Sequence, residues 1–125
     1  METTNNTKRT VVLGASPNPE RYSFMAVNRL KSKGHPVVAI GSRAADIGDT
    51  PIITTPPAVE DVDTVTLYLN PARQQQYYDY ILQLKPRRII FNPGAENTEL
   101  ENIARKNNIE PVNACTLVLL STGQF

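Results

Sequence analysis

The sequence predicts an α/β domain, an open and mainly parallel sheet of about five strands with helices on both faces. Three neighbouring stretches predict it. Val11-Val12-Leu13 is a short apolar run ended by Gly14 and then by Ala15-Ser16-Pro17, which reads as a buried parallel strand entering a βα loop. From Tyr22 to Lys33 the chain carries Phe24, Val27 and Leu30 at helical spacing, with Ala26 reinforcing that face and Gly34 where a left-handed cap ends a helix. Val37-Val38-Ala39-Ile40-Gly41 supplies a second strand. The βαβ unit so formed, about thirty residues long, puts its first loop at the N-terminus of its helix, a place for phosphate.

The remaining elements follow in order. Residues Ala44 to Asp63 read as a connection between the two halves of the sheet, broken by Gly48, Pro51, Pro56 and Pro57, with Pro51-Ile52-Ile53-Thr54 as a short strand within it. Thr64 to Leu69 is the next strand. Asn70-Pro71 pairs a favoured N-cap with a favoured first helical residue, so a helix starts there, buries Tyr77, Ile81 and Leu84, and stops before Pro86. Arg88-Ile89-Ile90-Phe91 is a strand. After Asn92-Pro93-Gly94, Thr98 with Glu101 matches a capping box ahead of a helix with Leu100, Ile103 and Ala104 inward. Pro111-Val112-Asn113 is the last short strand, and the apolar run Leu117 to Leu120 either packs on the sheet or lies in a contact with another subunit or protein partner.

Composition bounds the function. At 125 residues the chain suits one domain over residues 9–125, preceded by a polar, frayed tail over residues 1–8. A net charge of +1 argues against a partner such as nucleic acid, which needs a strongly basic face. Nothing approaches a membrane span, and no apolar segment follows the polar N-terminus as in a signal peptide. The single cysteine, Cys115, excludes an internal disulfide and fits a reducing compartment, so a cytoplasmic location is expected.

In such a sheet the ligand lies beyond the carboxyl ends of the strands, where strand order reverses. The loops at that edge are 14–23, 41–43, 69–73 and 92–97. Backbone N–H groups of Ala15 and Ser16, and those near Tyr22 and Ser23, are candidates to face a pyrophosphate, aided by the helix dipole. A fold that binds NAD carries an acidic residue about twenty residues after its Gly-rich turn, to accept from the ribose hydroxyls. Here the second strand ends in Gly41-Ser42-Arg43. A guanidinium accepts no hydrogen bond but grips a phosphate through parallel N–H groups, so the tip suits a phosphorylated ribose, as in coenzyme A or NADP. The first loop also departs from G-x-G-x-x-G, having Ser16 and Pro19 where glycines would stand. Asn70 and Pro71 would flank adenine or ribose, with Arg73 as a second cation and Arg21 as a weaker candidate.

Gly14-Ala15-Ser16-Pro17-Asn18-Pro19-Glu20-Arg21-Tyr22-Ser23, the helix after it and Asn92-Pro93-Gly94-Ala95-Glu96-Asn97 together resemble the stand-alone CoA-binding domain proteins. These small bacterial Rossmann-fold proteins are similar to the N-terminal domain of the succinyl-CoA synthetase α subunit. The resemblance runs from about Arg9 to the end of the chain. It implies a Rossmann-like fold, coenzyme A or an acyl-CoA as ligand, and contacts from Gly14, Ser16, Tyr22, Ser23, Ser42, Arg43 and Asn70. It also implies a role for Cys115, since Asn113-Ala114-Cys115 matches a cysteine context of the family; a thiol near the pantetheine end would exchange with the CoA thiol.

Each candidate has a plainer role as well. Gly14 serves the turn whatever binds. Ser23 and Asn70 suit helix caps, Arg43 a solvated loop, Cys115 a small buried residue, and His35 an exposed turn without catalytic use. No catalytic triad, carboxylate pair or metal-ligand cluster assembles from the strand tips. The reading is a binding module without identifiable catalysis. A small NADP-dependent oxidoreductase is the alternative, and an empty Rossmann fold serving interaction alone is the third.

Overall fold

The computed structural model describes residues 7–125. Its strands are β1 (Thr10–Leu13), β2 (Val37–Ile40), β3 (Ala45–Ile47), β4 (Thr50–Ile53), β5 (Thr64–Leu67), β6 (Arg88–Phe91) and β7 (Glu110–Asn113). Its helices are α1 (Tyr22–Ser32), α2 (Pro71–Gln74), α3 (Tyr78–Leu84), α4 (Thr98–Lys106) and α5 (Thr116–Ser121). The strands form one sheet in the order β3-β4-β2-β1-β5-β6-β7, parallel throughout except for β3. Strand order therefore reverses between β1 and β5. Register keeps the carboxyl edge level: Leu13 pairs with Ile40 and Leu67, Leu67 with Phe91, and Phe91 with Asn113. Every βα loop leaves the sheet at one height.

Alternation along the strands builds two cores. Val11, Leu13, Val65, Leu67, Ile89 and Phe91 face Ile81, Leu84, Leu100 and Ala104 of α3 and α4. Val12 and Ala39 face Val27 and Leu30 of α1 and Leu120 of α5. The apolar run at the C-terminus thus packs on the sheet beside α1. Beneath α5 the sheet is polar: the Thr66 and Thr116 hydroxyls are 2.8 Å apart, and Asn92 Nδ2 donates to Thr66 Oγ1 at 2.7 Å and to the Leu67 carbonyl at 2.8 Å. Asn92 Oδ1 accepts from the Thr116 amide at 2.8 Å. Buried and saturated, these groups fix where α5 starts.

Four expectations are corrected. The sheet has seven strands in place of about five, because residues 45–53 form a hairpin, β3 antiparallel to β4, turning at Gly48 with φ +60°. Three residues of β3 are too few for a readable alternation. The helix expected from Pro71 is broken, since the chain tightens into a 3-10 turn over Gln75–Tyr77 between α2 and α3. That turn re-registers the chain so that Gln74 and Ile81 are both fully buried. At α4 the cap is Asn97, whose Oδ1 accepts from the Leu100 amide at 3.2 Å, and not Thr98. Glu101 pairs instead with Arg105 at 3.3 Å and with Asn113 at 3.2 Å.

His35 is the fourth. It is half-buried at the amino edge, where its Nδ1 accepts from the Lys8 amide at 2.9 Å and its ring lies 4.9 Å from that of Phe125. The Arg88 guanidinium covers the Phe125 ring at 4.4 Å, donates to the Phe125 carbonyl at 2.9 Å, and donates through Nε to Thr64 Oγ1 at 2.8 Å. The frayed tail expected over residues 1–8 falls largely on residues 1–6, outside the described residues, while Lys8 is held by His35. Burial, followed by the charges of Lys8 and Arg88, lowers the His35 pKa below its ordinary value of 6.5. Burial raises that of nearby Asp63, but the Thr64 hydroxyl and Arg87 outweigh it and leave Asp63 below 3.8.

Three outcomes follow from this packing. A Cβ at Gly41 would meet the Ala15 carbonyl at 2.3 Å, so Gly41→Ala should cost about 1–3 kcal/mol in urea unfolding, as overpacking does. Gly48→Ala meets no atom within 4 Å but must hold φ +60°, so it should lower stability by about 1–2 kcal/mol through backbone strain alone. A lowered His35 pKa means that the native chain binds fewer protons than the unfolded one, so the contribution is complete above pH 6.5 and is lost as pH falls from there through the lower folded value. Asp63 adds its own loss only below 3.8. His35→Asn keeps an acceptor for the Lys8 amide without titrating, and should flatten the decline of urea midpoints between neutral and mildly acidic pH; an unchanged slope would assign that decline to another group.

Candidate functional site

The crevice at the carboxyl edge begins with the exit of β1. The Gly14 and Ala15 amides both donate to the Ile40 carbonyl at 2.9 Å, turning the chain away from the sheet over the end of β2. Gly14 adopts φ +95°, and a Cβ there would lie 3.0 Å from Leu69 Cγ and from the Tyr68 carbonyl carbon. Glycine is required both for the conformation and for the close approach of the two loops. The loop then folds on itself: Ser16 Oγ accepts from the Asn18 amide at 3.1 Å, Asn18 Oδ1 from the Glu20 amide at 3.0 Å, and the Asn18 carbonyl from the Arg21 amide at 3.0 Å. These Ser and Asn turns replace glycines as the means of turning the chain.

Helix α1 starts at Tyr22 after Arg21, with no side-chain cap and no acidic residue in its first turn. Its N-terminal dipole and first amides are therefore left for an anion or water. Across the crevice Asn70 caps α2, its Oδ1 accepting from the Arg73 amide at 2.9 Å. Gly94 donates its amide to Glu96 Oε1 at 2.9 Å and Ala95 to the Asn92 carbonyl at 2.8 Å, which shapes the loop after β6. Between these loops lies a cavity of about 780 Å³ that straddles the switch between β1 and β5.

Most of the expected residues meet there. Gly14, Ala15, Ser16, Arg21, Tyr22, Ser23, Ser42, Asn70 and Arg73 all line the crevice. Tyr22 stands at the start of α1 with 69% of its surface exposed, whereas Ser23 is buried at 3% and does not cap the helix. The Ala15 amide is spent on the Ile40 carbonyl, which removes it from the groups expected to face a pyrophosphate. Arg43, exposed, follows the lining residue Ser42 but is not itself part of the lining. Cys115 also lies outside it, half-buried where the chain enters α5.

Sequence reasoning missed Gln76 and Tyr77, which line the crevice from the 3-10 turn, and Tyr68, which follows β5. No local pattern marks the first two, because their position depends on the break after α2. The Tyr68 hydroxyl is buried beside the Thr116 and Thr66 hydroxyls but has no partner in hydrogen-bond geometry, and burial pushes its pKa up to about 12. Tyr68 is a neutral wall. Among the described residues no three His, Cys, Asp or Glu side chains gather as metal ligands, and no helix is long and apolar enough to cross a membrane. Cationic side chains and helix amides equip the crevice to hold an anion.

Sheet order, level carboxyl edge and a crevice at the switch point define a Rossmann-like α/β domain. The chain belongs to the CoA binding domain family, whose model matches residues 8–121. It is similar to a protein described as uncharacterized in its crystal structure, with 52% identity over 97% of this chain and 100% of that one and a TM-score of 0.94. A hypothetical protein from Pyrococcus horikoshii OT3 shares the fold at 18% identity and a TM-score of 0.84, covering 94% of this chain and 84% of that one. Cell-free ID.343 from Thermus thermophilus does so at 20% identity and a TM-score of 0.82, covering 95% and 91%. No match was found among curated proteins. Family membership supports CoA binding in general.

Proposed function

We propose that the chain is a binding module for coenzyme A or an acyl-CoA, held in the crevice at the carboxyl edge of the sheet. The observation that carries this reading is the start of α1, which no side chain caps and which opens into the crevice beside a β2 tip bearing Ser42 and Arg43 in place of an acidic residue. In this reading the diphosphate meets the amides at Tyr22 and Ser23 and the positive end of the helix. The 3′-phosphate on the ribose meets Ser42 and Arg43, with Arg43 swinging in from the rim. Asn70 and Arg73 border the adenosine half from the other wall.

Titration calorimetry under reducing conditions with CoA, 3′-dephospho-CoA, NADP and NAD tests it. CoA should bind most tightly, and Arg43→Ala should weaken it by about 1–3 kcal/mol, as for loss of a charge-assisted hydrogen bond, while leaving 3′-dephospho-CoA nearly unaffected. Binding of NADP without CoA would overturn the reading in favour of the oxidoreductase.

Exchange at Cys115 is the further part of the proposal. Cys115 follows β7 and so lies at the same edge of the sheet as the crevice. With CoA disulfide, the Cys115 thiolate would attack one sulfur, forming a protein–CoA mixed disulfide and releasing the other CoA as thiolate. Mass spectrometry should find one CoA adduct per chain, absent in Cys115→Ser and reversed by reductant. No adduct, or equal labelling by a disulfide without a nucleotide, would remove exchange and leave binding alone.

A further inference from the structure

The crevice wall opposite α1 comes from two loops that are distant in sequence, the one entering α2 and the one leaving β6. One side chain joins them. Gln74 ends α2 and is fully buried. Its Nε2 donates to the Leu69 carbonyl at 2.8 Å and to the Ala95 carbonyl at 2.8 Å. Leu69 and Ala95 both line the crevice, whereas Gln74 does not. The amide is held in that orientation from behind, because Gln74 Oε1 accepts from Asn97 Nδ2 at 2.8 Å. Asn97 Nδ2 also donates to the Tyr78 hydroxyl at 2.9 Å, and that hydroxyl donates to Glu99 Oε1 at 2.9 Å.

Both donors and the acceptor of the Gln74 amide are therefore used inside the protein. A hydrophobe of the same size would fill the volume but leave the buried Ala95 carbonyl and the part-buried Leu69 carbonyl without this partner. The arrangement also accounts for the break between α2 and α3: the chain turns tightly after Gln74, leaving Gln74 inward while Gln76 and Tyr77 line the crevice.

We propose that Gln74 is a positioning residue that makes these two loops a single wall, so that CoA affinity depends on a side chain lying behind the site. This rests on the CoA reading of the crevice. Without the clamp the loops sample separate positions, and the apparent dissociation constant rises in inverse proportion to the fraction of molecules with the wall aligned.

The test compares the native chain with Gln74→Met and with Asn97→Asp. The second variant keeps the acceptor that caps α4 but loses the donor that orients Gln74, and it leaves the Gln74 side chain itself in place. Thermal unfolding establishes the temperature range in which each variant is folded. Within that range, CoA titration and hydrogen exchange of the unliganded protein are read together. Both variants should bind CoA roughly tenfold more weakly, as expected if about a tenth of molecules keep the wall aligned. Exchange should rise in residues 69–73 and 93–97 together, without a rise in β1 or β5. A folded variant with native exchange in both loops and native CoA affinity would overturn the proposal, whatever its loss of thermal stability. If the native chain itself fails to bind CoA, the functional reading falls, and the exchange of the two loops still decides whether Gln74 holds them as one.

Discussion

The structure depends on a shared acceptor at the tip of β2. Two consecutive amides, Gly14 and Ala15, donate to the Ile40 carbonyl, and this bends the exit of β1 across the neighbouring strand. The bend presses the Ala15 carbonyl against the Cα of Gly41, where no side chain fits. It also brings Gly14 against Tyr68 and Leu69, so that the exits of β2, β1 and β5 form one continuous floor. Two glycines thus have different duties: Gly14 supplies a backbone conformation as well as close approach, and Gly41 supplies space alone. The dinucleotide pattern assigns comparable duties to glycines of one loop. In this chain they are divided between two strands.

Both faces of the sheet carry an apolar core, and the face under α5 adds a polar seam. Under α3 and α4 the contact is apolar, with Phe91, Ile89, Val65 and Leu67 packed against Ile81 and Leu100. Under α5 the packing of Leu120 is joined by hydrogen bonds, Thr66 to Thr116 and Asn92 to both strand and helix, with Arg88 clasping Phe125 further down. Apolar packing tolerates substitutions that keep volume. Hydrogen-bonded contacts specify one position and are strongly weakened when one partner is lost. Placement of α5 is therefore exacting although the helix is short, and Asn92 links it directly to the loop that borders the crevice.

Much of this was legible in the sequence. The apolar runs 11–13 and 88–91, the spacing of Phe24, Val27 and Leu30, and Asn70-Pro71 each encode their element locally, and the crevice-lining loops follow from a parallel sheet once its strands are known. Gly34 does cap α1, with φ +85°, as its position indicated. What escaped was encoded at a distance. Asn97, and not Thr98, caps α4 because Gln74 of α2 and Tyr78 of α3 fix its side chain. His35 is half-buried because the chain returns at Phe125 to cover it. The 3-10 turn after α2 reflects a glutamine drawn inward by carbonyls of two loops, for which a local pattern has no term.

Both outer strands of the sheet are poor templates for a further strand. At one margin β3 has only three residues and exposes Asp46; at the other, β7 carries Pro111, which has no amide to donate, next to the exposed Glu110. A sheet of parallel strands with bare margins would be a template for adding a neighbour's strand. Here one margin is short and charged and the other lacks one donor, which disfavours pairing with another strand. Lateral growth of the sheet is disfavoured at both ends.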